Sequence, residues 1–494
     1  MSTVVEILGN ISSADWLSAS LACILLHIIY NVWFGPLAHI PGPFLAKVSS
    51  LWIVFQCRYT RRSETLLKQH QKYGNFVRVA PNHISISDPS ALEAIYGHKS
   101  GFNKGPFYED KSIEPVLFNT RDVQIHHRKR KYLSPAFSAK NLNEYEPYMA
   151  MQIRKLMECF HRRIENSGTV QLDFNEYWDY AFGKPFGFLD KERDHLNLIA
   201  IIDARGEVLN ALGHLPQILR PIMKYFFLDP FWPNGLRATS NLAAIGTQAY
   251  YGRKDQKNSR HDLLSFLFKA KDPESGGPLS EKEIIAESIS FIVGGSDTTS
   301  STMTNVVDIV SRSPEVQRQL QSELDQAFPG VMESDWVADF QTANRLPVLN
   351  AVLRETMRFK PTSATGLERV TPAGGKIIAG MFIPEGTLVS VPTLNVHHNP
   401  AVFVRPDEYD ISRWLGSDSS ALLDSFYPFS LGPRACIGRN FAWMEMLKTL
   451  ATVFKLFIVE RTRTLGTEVR EGFFVKNSEC NVVVKPRFGR KDRT

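Results

Sequence analysis

"FSLGPRACIGR", from Phe429 to Arg439, sets a single cysteine, Cys436, among glycines, arginines and a phenylalanine. Most buried cysteines sit in apolar elements and behave as small hydrophobes; this one lies in a loop that gives up packing on both sides. Downstream, "IGRNFAWMEMLKTLATVFKLF" has helical periodicity, so the sulfur is predicted just ahead of a helix N-terminus. Unpaired N–H groups and the helix dipole favour an anion there, and a thiolate is expected. Gly432 and Gly438 remove side chains where a planar group must come close. Phe429 is expected to pack beside the sulfur, and Arg434 can pair with a carboxylate. Taken alone, the cysteine also reads as an inert thiol in a tight turn.

Around this loop lies a chain of 494 residues, long enough to bury a large core. Its net charge of +6 suits an acidic partner or an anionic membrane surface. It falls short of a nucleic-acid signature, and no nucleic-acid partner is expected. The five cysteines, Cys23, Cys57, Cys159, Cys436 and Cys480, form no CxxC pair. That argues against a zinc site or a disulfide framework and suits a reducing compartment.

The N-terminus carries a second signal. From Trp16 to Phe34 the chain is mostly apolar and without formal charge. At about 1.5 Å per residue it approaches the ~30 Å hydrocarbon core. A cleaved signal peptide would have a shorter apolar run and a basic start. Here no Lys or Arg precedes Lys47, while Arg58, Arg61 and Arg62 follow. The positive-inside rule then places residues 1–15 in the lumen, 16–34 across the membrane and the body in the cytosol; a buried core helix is the alternative. Residues 35–46, with Pro36, Pro41 and Pro43, read as a stiff hinge. Residues 47–494 read as one catalytic body.

Helices dominate that body, with a minor β component. Ser280 and Glu283 form a capping-box start. An apolar-rich pattern runs from there to a stop at Pro314, roughly 30 residues and about 45 Å. Inside it, "GGSDTTS" places Gly294 and Gly295 mid-helix, where they cost about 1 kcal/mol each relative to alanine. The run is expected to loosen the helix and open a groove. A second helix, "LPVLNAVLRETMRF", precedes Pro361 and sets Glu355 and Arg358 on one face. Strand-like runs occur at "NFVRVAPNHISIS", "KIIAGMFIPEGTLVSVP" and "CNVVVKP".

A soft, charged sulfur ligand in a dry pocket suits haem iron. The loop resembles the haem-binding signature of the cytochrome P-450 superfamily, F-x-x-G-x-R-x-C-x-G, with Phe429, Gly432, Arg434, Cys436 and Gly438 filling every fixed position. The resemblance covers nearly the whole chain and implies a mainly α cytochrome P-450 fold with one N-terminal transmembrane helix. It implies Cys436 as the ligand of haem b. "GGSDTTS" is similar to the family's oxygen-activation motif, by which Thr298 orients dioxygen and water and Asp297 feeds protons. "ETMR" is similar to its E-x-x-R pair, which implies a buried triad of Glu355 and Arg358 with Arg413 from "DEYDISRWL". Ile411 and Ser412 depart from that last segment's pattern.

"HHRKRKYLSPAFS" resembles the helix carrying W-x-x-x-R, with His126 where tryptophan is common. His126, Arg130, Arg369 and Arg434 are thereby implied as hydrogen-bond donors to haem propionates, for which arginine's fork is suited. Arg128, Lys129 and Lys131 read as a solvated face that can also dock an acidic reductase. "AFGKPFG" matches the family, yet the helix that normally precedes Ala181 is nearly absent.

The resemblance, closest in flavour to microsomal fungal members of secondary metabolism, implies an endoplasmic-reticulum monooxygenase. Its electrons would come from NADPH through a cytochrome reductase, and its substrate would be a small apolar molecule. The expected pocket walls are Phe107–Phe118, Phe291–Gly294, Thr362–Gly366 and Phe473–Phe474. Two other readings are a reductase-independent rearrangement or dehydration on the same fold, and a non-catalytic membrane-anchored haem binder. Neither needs the Asp297–Thr298 pair.

Overall fold

The long apolar helix expected from Ser280 forms and runs through the centre of the molecule. A computed structural model describes residues 12–59, 61–109, 114–165, 169–173, 194, 196–254, 262–462 and 468–488. The "AFGKPFG" segment and the stretch before Ala181 lie outside the described residues. The principal helices are α1 (Ser13–Ile29), α2 (Leu51–Tyr59), α3 (Arg62–Tyr73), α4 (Val123–Leu133), α5 (Ala139–Glu165) and α6 (Leu198–Leu212). They continue with α7 (Phe231–Lys254), α8 (Glu281–Ser311), α9 (Pro314–Ala327), α10 (Pro347–Phe359) and α11 (Arg439–Leu456).

Helix α8 has 31 residues, about 46 Å at the α-helical rise. Its start is half of the expected capping box: Ser280 Oγ accepts the Glu283 N–H at 3.2 Å. The Glu283 carboxylate does not reach back, because Arg128, Lys129 and Tyr132 of α4 take it instead. After α8 ends, Pro314 opens α9 at a position where a missing N–H costs nothing. The C-terminal half of α8 is core: Met303, Val306, Val307 and Val310 are buried with Leu353 of α10 and Leu447, Leu450 and Phe454 of α11.

The strands are few and short. Strands β1 (Phe76–Ala80), β2 (His83–Ile86), β3 (Asn103–Lys104), β5 (Arg369–Val370) and β8 (Leu388–Ser390) form one sheet in the order β1-β2-β8-β5-β3. Only β2 and β8 pair in parallel. Strand β4 (Val170–Asp173) joins β12 (Asn481–Pro486) and β9 (Phe457–Arg461) in a second sheet. Two hairpins complete the set among the described residues, β6 (Lys376–Ile378) with β7 (Met381–Ile383), and β10 (Val469–Glu471) with β11 (Val475–Asn477).

At the N-terminus, Ala14–Phe34 is one helix long and apolar enough to cross a membrane, and none of it is buried against the body. The proline segment that follows is packed against the body. Leu37 and Ile40 are buried beside Ile84 and Ile86. The Arg78 guanidinium donates to the Leu37 carbonyl (3.2 Å) and the Asn31 carbonyl (2.7 Å), clasping the segment to β1. A Cβ at Gly42 would lie 2.4 Å from the Arg78 carbonyl oxygen, so only glycine allows this approach.

Candidate active site

The Phe429–Arg439 loop ends where α11 begins, with Gly438 as the N-cap residue. Its backbone turns back on itself, and the Cys436 N–H donates to the Phe429 carbonyl at 2.9 Å. The sulfur is exposed, but to an internal cavity of about 1610 Å³ rather than to bulk water. Burial in the protein pushes the Cys436 thiol up, while the Gly438 and Arg439 N–H groups and the Arg130 and Arg439 guanidiniums pull it down. The helix terminus therefore opposes desolvation without overcoming it. The expected thiolate needs a further positive charge, which a bound metal ion supplies.

The two glycines of the loop do different work. Gly438 faces open space: a Cβ there would find only the Phe137 ring, 3.8 Å away. Gly432 is not on the cavity surface. It has φ +64°, and a Cβ there would meet the Tyr96 carbonyl oxygen at 2.1 Å. Its small size serves packing against the Tyr96–Gly97 turn, and the expectation that it makes way for a planar ligand does not hold.

Cations gather beside the sulfur. His126, Arg130 and Arg434 line the cavity. Arg130 donates to the Ala435 carbonyl at 2.6 Å, and Arg434 to the Thr120 (2.5 Å) and Arg121 (3.1 Å) carbonyls and to Asn103 Oδ1 (3.2 Å). Arg369 stands behind this surface, its guanidinium 4.9 Å from the centre of the Tyr96 ring and bonded to the Glu368 carbonyl. Sequence reasoning missed Lys104. Its ammonium lies 4.2 Å from the Tyr108 ring centre and 4.4 Å from that of Phe118, bonded to the Phe118 carbonyl. The available signal was a lysine inside the apolar run "GFNKGPF".

Burial lowers His126, Arg130, Arg434 and Lys104, and neighbouring positive charges depress His126, Arg434 and Lys104 further. Burial, then Arg434 and Lys104, push His126 down to about 3. Burial and Arg369 bring Arg434 down to about 10, and Lys104 falls well below its ordinary value for burial, Arg369 and Arg434. Among the described residues the hydrogen bonds of Arg130, Arg434 and Lys104 end on neutral oxygens. Half-buried arginines with no carboxylate bonded to them among the described residues, set beside further N–H donors at His126 and Lys104, fit a bound dianion.

On the opposite wall, α8 presents Gly294–Thr299 to the cavity. The helix is continuous through this run, so the expected loosening does not occur. Thr298 Oγ1 donates to the Gly294 carbonyl at 2.6 Å, within the helix. The groove comes from missing side chains, since Cβ atoms at Gly294 and Gly295 would find nothing within 4 Å. Asp297 Oδ1 accepts from Lys476 Nζ at 2.6 Å. Burial raises the Asp297 carboxyl and Lys476 opposes this.

The remaining walls follow expectation. Phe107, Phe118, Phe291, Thr362, Gly366, Phe473 and Phe474 all line the cavity, and Phe473 touches Phe107, Phe118 and Phe474 with ring centres 4.9–5.9 Å apart.

On α10, Glu355 and Arg358 form a wholly buried pair. Arg358 Nε and Nη2 donate to the two Glu355 oxygens, each at 2.8 Å. Arg413 Nε (3.3 Å), Trp414 Nε1 (2.9 Å) and the Asp410 N–H (3.0 Å) share the same carboxylate. The departures at Ile411 and Ser412 leave this intact. Ile411 is buried in the core, and Ser412 donates to Asp410.

Of the solvated face read at Arg128, Lys129 and Lys131, Lys131 is exposed and the other two are corrected. Arg128 bonds Glu283 and Asp272, and Lys129 is buried between Glu283 and Glu287. Their partners come from far along the chain, and neither is free to dock a reductase.

A thiol presented to a deep cavity beside a row of cations, on a helical frame with minor sheets, defines a haem-thiolate class of site. Residues 41–482 match the family model "Cytochrome P450", and the chain belongs to that family. It is 36% identical to benzoate 4-monooxygenase bphA of Aspergillus niger, over 95% of this chain and 97% of that protein. It is 31% identical to cytochrome P450 monooxygenase ORF9 of Penicillium roqueforti, over 87% and 85%. The crystal structure of the cytochrome P450DA heme domain shares the fold, with TM-score 0.74 over 91% of this chain and 98% of that one at 20% identity.

The residues present fit the haem of this family. The cavity exceeds the roughly 300–1,000 Å³ of common ligand pockets, leaving room for a macrocycle and a second molecule. The sulfur supplies an axial donor, and the cations suit two propionates.

Proposed function

We propose that this protein is a haem-thiolate monooxygenase that inserts one atom of O2 into a small apolar substrate. One observation carries the reading: the Cys436 sulfur opens onto a large cavity beside two half-buried arginines, Arg130 and Arg434, that among the described residues bond only neutral oxygens. Haem b supplies the redox chemistry when bound, with substrate, O2, two electrons and two protons giving hydroxylated product and water. The chain's residues supply ligation, orientation and proton traffic. Cys436 holds the iron. Arg130, Arg434, His126 and Lys104 hold the propionates, with Arg369 adding charge from behind Tyr96. Phe429, Gly432 and Gly438 fix the loop that aims the sulfur.

Asp297 passes protons into the cavity, and the Thr298 hydroxyl turns from the Gly294 carbonyl to hold water or dioxygen. Glu355, Arg358 and Arg413 brace the loop from behind. Residues 16–34 anchor the chain in the endoplasmic reticulum membrane, 35–46 dock the anchor to the body, and 47–494 form the cytosolic catalytic domain. Electrons come from NADPH through a membrane-bound reductase. The aromatic wall of Phe107, Phe118, Phe473 and Phe474 supports a substrate with an aromatic ring, as does the similarity to a benzoate 4-monooxygenase; fungal secondary metabolism is the setting inferred from the resemblance in the sequence.

The test is the absorption spectrum of the reduced, carbon-monoxide-bound full-length protein. Wild type is expected to give the red-shifted Soret band of a thiolate complex and Cys436→Ala to lose it. An identical band in both would remove the ligand assignment. Reductase-dependent incorporation of ¹⁸O from ¹⁸O2 separates this function from rearrangement or simple haem binding.

A further inference from the structure

Asp297 meets the cavity as one end of a buried chain of charges. Lys476 of β11 lies between two carboxylates, bonded to Asp297 at 2.6 Å and also to Asp203 of α6. The three side chains are 11%, 17% and 8% exposed, in the order Asp297, Lys476, Asp203. Farther out, Arg470 of β10 reaches Asp203 (3.1 Å) and Glu207 (2.7 Å). Three separate elements thus meet at one ammonium group.

Two of those elements also touch whatever fills the cavity. Helix α6 lines it with Ile202, Arg205, Gly206 and Leu209, and the β10–β11 turn lines it with Phe473 and Phe474. They are pressed together: a Cβ at Gly472 would lie 2.8 Å from the Glu207 nitrogen and 2.9 Å from the Gly206 carbonyl carbon. A substrate that displaces the turn or α6 therefore moves the partners of Asp297.

We propose that Lys476 and Asp203 are positioning residues for Asp297, through which the seating of α6 and the β10–β11 turn on a substrate decides when that acid holds its proton. The inference rests on reading Asp297 as the proton donor. The groups facing Asp297 are Lys476 from β11 and Asp203 and Arg205 from α6, with Arg470 and Glu207 behind them. Burial and Asp203 favour the protonated acid, while Lys476 and Arg205 favour the carboxylate. Removing the lysine leaves two carboxylates facing each other, and removing Asp203 leaves a simple ion pair. The two changes thus act on Asp297 with opposite sign, which a mere structural pin would not produce.

Full-length holoenzyme with its reductase provides two readouts. One is the infrared band of the protonated Asp297 carboxyl against pH, assigned by its loss in Asp297→Asn. The other is the share of NADPH electrons recovered as hydrogen peroxide. Lys476→Met is expected to keep the band to higher pH, and Asp203→Asn to lose it at lower pH, by about one pH unit or more each way. Lys476→Arg restores the wild-type profile. Shifts of the same sign, or none, overturn the inference provided that Asp297→Asn still raises peroxide several-fold. Peroxide at the wild-type level in Asp297→Asn overturns the donor role itself, and the inference with it.

Discussion

Glycine at position 432, packed against the Tyr96–Gly97 turn, and glycine at position 294, on the cavity wall, obey different constraints. Gly432 combines φ +64° with a Cβ position 2.1 Å from the Tyr96 carbonyl oxygen. Left-handed backbone at a non-glycine residue costs about 1–3 kcal/mol, and the collision adds to it because a backbone atom cannot swing aside. Gly294 has no such neighbour and sits in a regular helix. Alanine there should stabilise α8 by about 0.5–1 kcal/mol. Gly432→Ala is therefore expected to lower the thermal midpoint and the yield of pigmented protein, and Gly294→Ala to raise the midpoint while lowering substrate affinity. Equal midpoints for the two variants would contradict this account. The sequence motif marked both positions as small, but it carried no information on whether backbone or ligand required the space.

Between elements, the contact of α4 with α8 shows a division of labour between two carboxylates one turn apart. Glu283 takes Arg128, Lys129 and Tyr132, and these partners hold it down to about 2 against its burial. Glu287 has one oxygen on Lys129 and the Leu117 N–H, and the other has no partner among the described residues. Burial raises Glu287 to about 7. A depressed carboxylate contributes stability that is present above its unfolded value, 4.5, and is lost as pH falls toward 2. A raised one does the reverse: its charged form costs the fold increasingly as pH climbs from 4.5 toward 7. At pH 7.5 Glu283→Gln should lower the thermal midpoint and Glu287→Gln should raise it, with the Glu283→Gln deficit shrinking below pH 4.5. Thermal melts across pH 3–8 would read both signs, and a loss in both variants at pH 7.5 would refute the assignment. The helices themselves were legible, because α8 carries its N-cap and apolar row locally and α11 its helical periodicity. The roles of Arg128 and Lys129 were not, because their partners lie more than 140 residues away on α8 and at Asp272. Local pattern cannot show such pairing. The same holds for Lys476 and Asp297, and for Lys104, whose burial is set by Tyr108 and Phe118 from the following loop.

For the molecule as a whole, apolar exposure is concentrated where the anchor leaves the body. Phe44, Leu45, Phe55 and Tyr59 are exposed at the start of the body, and Ile218, Ile222, Tyr225, Phe227 and Leu228 are exposed after α6. These two groups belong to one surface. The Tyr59 hydroxyl donates to Asp229, next to Leu228, and Arg58 pairs with Asp229 at 3.1 Å. Beneath them Ile53, Cys57, Leu215, Met223 and Phe231 share one core. Fully burying one large apolar side chain is worth about 1.5–3 kcal/mol, so even partial insertion of several would hold the body on a bilayer without its helix. A chain lacking residues 1–34 is therefore expected to sediment with lipid vesicles and to be released by detergent, with high salt having little effect. Replacing Ile218, Phe227 and Leu228 together with serine in that truncated chain should move most of it to the supernatant, with its spectrum unchanged. If the truncated chain stays in the supernatant at low salt before any such replacement, the exposed face does not bind membrane, and the anchor alone accounts for attachment.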